Sequence, residues 1–226
     1  MSKSPSLTLV VAATPSLGIG QGGTLPWPPL KKEMGYFARV TKRVVRPRGS
    51  PTVPVINAVL MGRKTWESIP PQFRPLPDRL NIVITRQARD EFVKRIVDAP
   101  ATTTANKSRV EREGPLVASG ILDALRQLEE RREGVVQRIY VIGGASVYQT
   151  ALELPQTKHV LLTKIGNEYD CDTFFPINLD ESAVWTKAHR REWSEFTGEE
   201  GNDDVVEEQG VEFEYCLYTR EDGEDE

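Results

Sequence analysis

The chain has 226 residues, a formal charge of −4, 38% hydrophobic and 27% charged residues, enough for a sizeable α/β core. The acidic balance argues against general binding to nucleic acid or anionic membranes, and no apolar run approaches the ~18 residues that cross a bilayer. Two distant cysteines, Cys171 and Cys216, and two histidines leave no zinc set, disulfide framework or Cys–His nucleophile, and point to a reducing, cytoplasmic setting.

In chain order, the first six residues are too short and polar for a signal peptide. Short apolar runs rich in β-branched residues follow at 7–13, 58–61, 80–84, 116–118, 139–142 and 159–163. Helical patterns lie between them at 30–40, 64–68, 121–131 and 145–152. This alternation predicts a largely parallel sheet covered on both faces. Residues 185–196 and 211–219 read as two antiparallel strands joined by an acidic loop at 198–210. The fold class expected is therefore α/β, with an antiparallel C-terminal edge and flanking helices. One domain is expected over 1–226, with surface insertions near 43–54, 98–115 and 198–210 and an acidic tail at 221–226.

Three stretches carry chemistry. Leu25-Pro26-Trp27-Pro28-Pro29-Leu30 leads into a helical pattern, and Pro29 suits a first helical turn because its missing N–H costs nothing there. Such a helix places Leu30, Met34 and Phe37 on one face, with Glu33 on the same stripe. A carboxylate among apolar neighbours is expensive to bury without a partner. Taken alone, Glu33 reads equally well as an exposed edge residue beside Lys31 and Lys32.

Gly18, Gly20 and Gly23 match the dinucleotide fingerprint, but they run into Thr24-Leu25-Pro26, which cannot open the helix that this fingerprint needs. A loop over a ligand and an ordinary turn both remain open there. Better phosphate candidates are Gly143-Gly144 before a helical pattern, Gly62-Arg63-Lys64-Thr65, and Thr85-Arg86. All three lie at strand carboxyl ends, where open α/β sheets bind ligands. Jointly they suggest one extended, phosphate-bearing nucleotide.

Ordered motifs then resemble a known family. Val10-Val11-Ala12-Ala13, Leu17-Gly18-Ile19-Gly20, the Trp27–Leu30 segment, Met61-Gly62-Arg63-Lys64-Thr65-Trp66-Glu67-Ser68-Ile69-Pro70, Arg74-Pro75-Leu76-Pro77-Asp78-Arg79, Ile142-Gly143-Gly144-Ala145-Ser146-Val147-Tyr148 and Asp172-Thr173-Phe174-Phe175-Pro176 are similar to dihydrofolate reductases of eukaryotic, fungal-like type. The resemblance implies an eight-stranded mostly parallel mixed sheet and NADPH-dependent reduction of 7,8-dihydrofolate. It implies that Glu33 faces the pterin, supported by Thr163, with a proton-carrying water near Leu25 and Trp27. Val10, Val11, Met34, Phe37, Ser68, Ile69, Leu76 and Ile142 would line the substrate pocket, and Arg79 would grip the substrate's α-carboxylate.

For the cofactor, the resemblance implies Ala12 and Ile19 at the nicotinamide, under a closing loop of Gly18, Gly20, Gln21, Gly22, Gly23 and Thr24. Gly62, Thr65, Ile142, Gly143, Gly144, Ala145, Ser146, Val147, Tyr148 and Thr150 would hold the pyrophosphate region, with a strained Gly143–Gly144 peptide. Arg63, Lys64, Thr85, Arg86 and Gln87 would surround the 2′-phosphate. A monomer binding dihydrofolate and antifolate inhibitors, with no nucleic acid or membrane partner, is expected. A related pyrimidine reductase and a catalytically dead, RNA-binding relative fit the Glu33, Trp27, Arg79 and Gly143-Gly144 set less well, and no fused thymidylate synthase is expected.

Overall fold

Strand β1 (Leu7–Ala13) is buried along nearly its whole length, so it must be covered on both faces. A computed structural model, which describes residues 6–45, 55–88, 91, 92, 94, 115–130, 135–200 and 205–221, places this strand at the sheet centre. Most of the expected insertions at 43–54 and 98–115, part of 198–210, and all but the first residue of the tail 221–226 lie outside the described residues.

After β1 come β2 (Gly18–Gly20), α1 (Lys31–Lys42), β3 (Val55–Gly62), α2 (Arg63–Ser68) and β4 (Arg79–Ile84). Next are β5 (Leu116–Ala118), α3 (Ile121–Glu130), β6 (Val135–Val141), α4 (Ala145–Glu153) and β7 (Thr157–Ile165). The chain closes with β8 (Thr173–Phe174), β9 (Trp185–Lys187), α5 (Arg190–Thr197), β10 (Val206–Glu208) and β11 (Val211–Arg220). The main sheet runs β10-β11-β7-β1-β6-β3-β4-β5, with β9 on β11, while β2 and β8 form a separate ribbon. Pairings from β7 through β5 are parallel and those made by β11 are antiparallel.

Alternation along each strand divides the core in two. Leu7, Leu9, Val11, Leu60, Ile82, Val141 and Leu162 face α3 and α4. Val10, Val59, Met61, Val83, Tyr140 and Leu161 face Tyr36 and Val40 of α1, Trp66 of α2 and Trp193 of α5. Among the described residues, no helix is long and apolar enough to cross a membrane.

Two readings need correction. Residues 185–196 are not one strand: only Trp185–Lys187 pairs with β11, and Arg190–Thr197 is helix. The helical signals are local. Glu192 accepts the His189 N–H at 2.8 Å, Arg191 and Glu195 pair one turn apart at 2.9 Å, and Gly198 ends the helix at φ 72°. The hairpin partner of β11 is instead β10, joined through Gln209 and Gly210, both at positive φ. Secondly, α1 begins at Lys31 rather than Pro29. The Glu208 carboxylate accepts the N–H groups of Lys31 and Lys32 at 3.0 and 2.8 Å, an acceptor for the helix start worth about 1 kcal/mol.

Candidate active site

A row across three strands builds the site. Ala12 on β1 is in register with Thr163 on β7, and Thr163 with Tyr215 on β11. Cross-strand partners project from one face, here the face covered by α1. The first turn of α1 sets Glu33 over this row, where Thr163 Oγ1 donates to Glu33 Oε1 at 3.4 Å. Glu33 is 9% exposed, and no cation faces it among the described residues. Burial pushes its pKa from the ordinary 4.5 up to about 7, against the opposing Thr163 bond.

Val10, Phe37, Ile69, Leu76 and Ile142 gather in the apolar cluster beside this acid. Three expected lining residues do not join them. Val11 points through the opposite face of β1 into the other core, so only its backbone is available. Met34 is 53% exposed, because the inward face of α1 is Glu33, Tyr36 and Val40, and position 34 lies one residue, about 100° round, from that stripe. Ser68 is exposed, and its hydroxyl donates to the Thr65 carbonyl at 2.8 Å. Trp27 is buried edge-on against Tyr169, while the neighbouring Leu25 is exposed.

Arg79 is 3% exposed at the start of β4. Its Nη1 donates to Thr41 Oγ1 at 2.7 Å and its Nε to the Pro77 carbonyl at 2.9 Å, both neutral acceptors, and its guanidinium lies 5.7 Å from the Phe37 ring centre. Burial pushes its pKa down to about 10, so it stays charged near neutrality.

The strand ends hold the polar half. β1 pairs with β6 only through Leu9, then continues along β7 to Ala13, so a gap opens between β1 and β6. The Tyr148 hydroxyl donates to the Val10 carbonyl at 2.6 Å across this gap. β6 and β3 stay joined further out, through Ile142 N–H to Leu60 and Gly62 N–H to Gly143, and the Gly143–Gly144 peptide is cis. A Cβ on Gly144 would lie 3.4 Å from Thr65 Oγ1, so the two strand ends touch. Val147 and Tyr148 both bond the Gly144 carbonyl, so the N–H groups of Ala145 and Ser146 precede the first helical bond of α4. Thr150 turns its hydroxyl to the Ser146 carbonyl.

Because Gly62 pairs with Ile84, Arg63 and Lys64 emerge beside Thr85 and Arg86. Arg63 is paired with Glu67 at 2.6 Å, and Thr85 accepts the Gln87 N–H at 3.1 Å. A cavity of about 530 Å³ lies beyond them, lined by Thr85, Gln87, Ala118, Ser119 and Arg126 among others. It extends the row of strand ends away from Glu33.

Around Gly18–Gly20 no helix opens. Gly18 packs where a Cβ would overlap the Cys171 sulfur, Gly20 continues the ribbon with β8, and the Gly22 N–H donates to Asp172 at 2.7 Å. Gln21 and Thr24 bond each other across the turn, and Ile19 is half-buried beside the first core. Sequence reasoning passed over Tyr36, Thr41, Tyr215 and Glu208, and gave Asp172 no role beyond its motif. Of these only Tyr36, one turn after Glu33, carried a local periodic signal.

A family model described as dihydrofolate reductase matches residues 6–209. The chain belongs to the dihydrofolate reductase family. It is 37% identical to the dihydrofolate reductase of Pneumocystis carinii over 98% of this chain and 100% of that one. The Candida albicans enzyme is 36% identical over 97% and 100%. The solved Schistosoma mansoni dihydrofolate reductase superposes with a TM-score of 0.67 at 30% identity, covering 97% of this chain and 100% of that one. Membership makes the chain an enzyme reducing dihydrofolate to tetrahydrofolate.

The raised pKa of Glu33 has a sign that can be tested. Between pH 4.5 and about 7 the unfolded chain has released this proton while the folded chain keeps it. Stability therefore falls as pH rises through that window, by at most about 3 kcal/mol. Glu33→Gln removes the dependence, so its melting temperature should exceed the parent's at pH 8 and approach it near pH 4. An unchanged difference across that range would mean the carboxylate is not buried.

Proposed function

We propose that the chain transfers a hydride from NADPH to C6 of 7,8-dihydrofolate, with proton delivery to N5, and that Glu33 is the acid on which this depends. The observation that carries this reading is a carboxylate enclosed by apolar and aromatic groups, held by Thr163 alone, with no cation of the protein facing it among the described residues. Such a group is stable if it is protonated or if a ligand supplies the hydrogen-bond donors it lacks. The amidine edge of a pterin does the latter through two parallel N–H donors. With its pKa near 7, Glu33 also holds a proton in the range where an acid catalyst works.

Gripping that edge keeps Glu33 away from N5, so a water admitted past Leu25 and Trp27 carries the proton. Val10, Phe37, Ile69, Leu76 and Ile142 exclude bulk water from the reacting face. Arg79, buried and bonded only to neutral acceptors among the contacts described, keeps its charge available for the substrate's α-carboxylate.

The polar half fits a phosphorylated dinucleotide. Thr65, Gly143, Gly144 and the outward N–H groups of Ala145 and Ser146 would hold its pyrophosphate. Lys64 and Arg86, with Arg63 and the Thr85 hydroxyl, would hold a ribose 2′-phosphate, which favours NADPH over NADH. When bound, this group supplies the hydride. Ala12 and Ile19 would press on its nicotinamide, beneath the Gly20–Thr24 turn. In the cell the chain would act as a cytoplasmic monomer supplying tetrahydrofolate to one-carbon metabolism, and so to thymidylate, purine and glycine synthesis. Antifolates would compete for the same cleft.

Three measurements test this reading. Glu33→Gln should fold and lose most turnover at pH 7, roughly 10²-fold or more, measured as dihydrofolate-dependent loss of NADPH absorbance; near-parent rates would remove Glu33 from the mechanism. Replacing Arg63 and Arg86 together should raise KM for NADPH far more than KM for NADH, and equal changes would refute the 2′-phosphate assignment. Arg79→Leu should weaken folate much more than a pterin lacking glutamate, by about 10-fold or more, whereas parallel losses would make Arg79 purely structural.

A further inference from the structure

We infer that two C-terminal stretches, 190–199 and 207–209, together with Tyr215, clamp helix α1, and that Trp193 and Glu208 are positioning residues for Glu33. This rests on the reading of Glu33 given above.

The clamp has three points of contact. At the start of α1, Glu208 accepts the N–H groups of Lys31 and Lys32, Lys32 Nζ donates to the Glu207 carbonyl at 3.0 Å, and Gln209 donates to the Pro29 carbonyl at 2.6 Å. These bonds lie within four residues of Glu33. One turn further on, Tyr36 is enclosed by two rings. Tyr215 stacks on it with centroids 3.9 Å apart, and Trp193 lies nearly parallel at 6.1 Å, donating Nε1–H to the Tyr36 hydroxyl at 3.2 Å. Trp193 is 3% exposed, and Arg190 covers it from outside with its guanidinium 3.7 Å from the ring centre. A further turn along, Arg39 forms a forked pair with Glu199, just past the end of α5.

These contacts converge on the acid by a short route. Tyr215 is the in-register neighbour of Thr163, which holds Glu33. Tyr36 and Tyr215 therefore form the wall that keeps water from the carboxylate on the side of α1 and β11. Trp193 holds that wall, and Glu208 fixes the height of the first helical turn above Thr163. The other titratable groups facing this region are Tyr148 from α4, and Arg39, Glu199 and Glu208 around Tyr36 and Tyr215. Loosening the clamp admits water to the acid and lets the Thr163 bond lengthen. Water entry relieves the larger influence, burial, and makes the carboxylate easier to ionise; the longer Thr163 bond opposes this by less and leaves the acid harder to place.

The test compares the parent with Trp193→Ala, Trp193→Phe, Glu208→Ala and Glu33→Gln in pH profiles of kcat/KM for dihydrofolate under saturating NADPH. The alkaline limb should move down by about half a pH unit or more in Trp193→Ala and Glu208→Ala, with kcat/KM at pH 7 reduced several-fold. Trp193→Phe, which keeps the ring, should restore most of the parent profile. Limbs that superimpose on the parent in Trp193→Ala and Glu208→Ala would overturn the clamp. Should Trp193→Ala not fold, Glu208→Ala at the surface decides alone by the same criterion. Retained turnover in Glu33→Gln would instead overturn the reading of Glu33, whereas loss there with unshifted clamp variants would overturn only the clamp.

Discussion

A single carboxylate on the inward face of α1 sets the terms for the rest of the molecule. Glu33 shares that face with Tyr36 and Val40, and its hydrogen bond among the described residues comes from Thr163. Burying an ionised carboxylate under these conditions is unfavourable by several kcal/mol, so the group shifts toward its protonated form. The cost is local to the first turn of α1 and is limited by the protonation that burial favours.

That placement depends on strand register more than on loops. Ala12, Thr163 and Tyr215 align across β1, β7 and β11, and the acid hangs over the middle of the row. One strand over, β1 and β6 part after Leu9 and leave a gap whose rim is Tyr148, Gly143 and Gly144. Further along the same edge, β3 and β4 end together and bring Arg63 and Lys64 beside Thr85 and Arg86. The sheet thus separates its strand ends by chemistry, with an apolar, weakly acidic end near α1 and a polar, cationic end at β3 and β4. Parallel strands make this possible because their carboxyl ends emerge on one side.

The C-terminal third closes the arrangement from behind. β11 runs antiparallel to β7, places Tyr215 against Tyr36, and carries β10 and α5 to the two ends of α1. A helix of 12 residues has little stability of its own. Here its first N–H groups are accepted by Glu208, its middle is enclosed by Trp193 and Tyr215, and its last turns are tied to Glu199 through Arg39. Acidic residues that read as loop surface in the sequence are therefore structural acceptors at α1.

How much of this was legible depends on the range of the interactions concerned. Apolar runs separated by helical patterns gave the α/β sheet and most element positions within a few residues, because those patterns follow from local backbone periodicity. The glycine pairs and cations at strand ends, and Glu33 between Leu30 and Phe37, were legible for the same reason, and ordered motifs linked them to a family. The turn of Val11 into the opposite core and the helix at Arg190–Thr197 were not legible, because one apolar pattern satisfied two periods or faces. Local sequence thus determined which segments fold as strand or helix and which chemical groups they carry. Tertiary structure alone decided that Thr163 reaches Glu33, that Tyr215 and Trp193 reach Tyr36, and that Glu208 reaches Lys31 and Lys32, because those contacts join residues more than 100 positions apart.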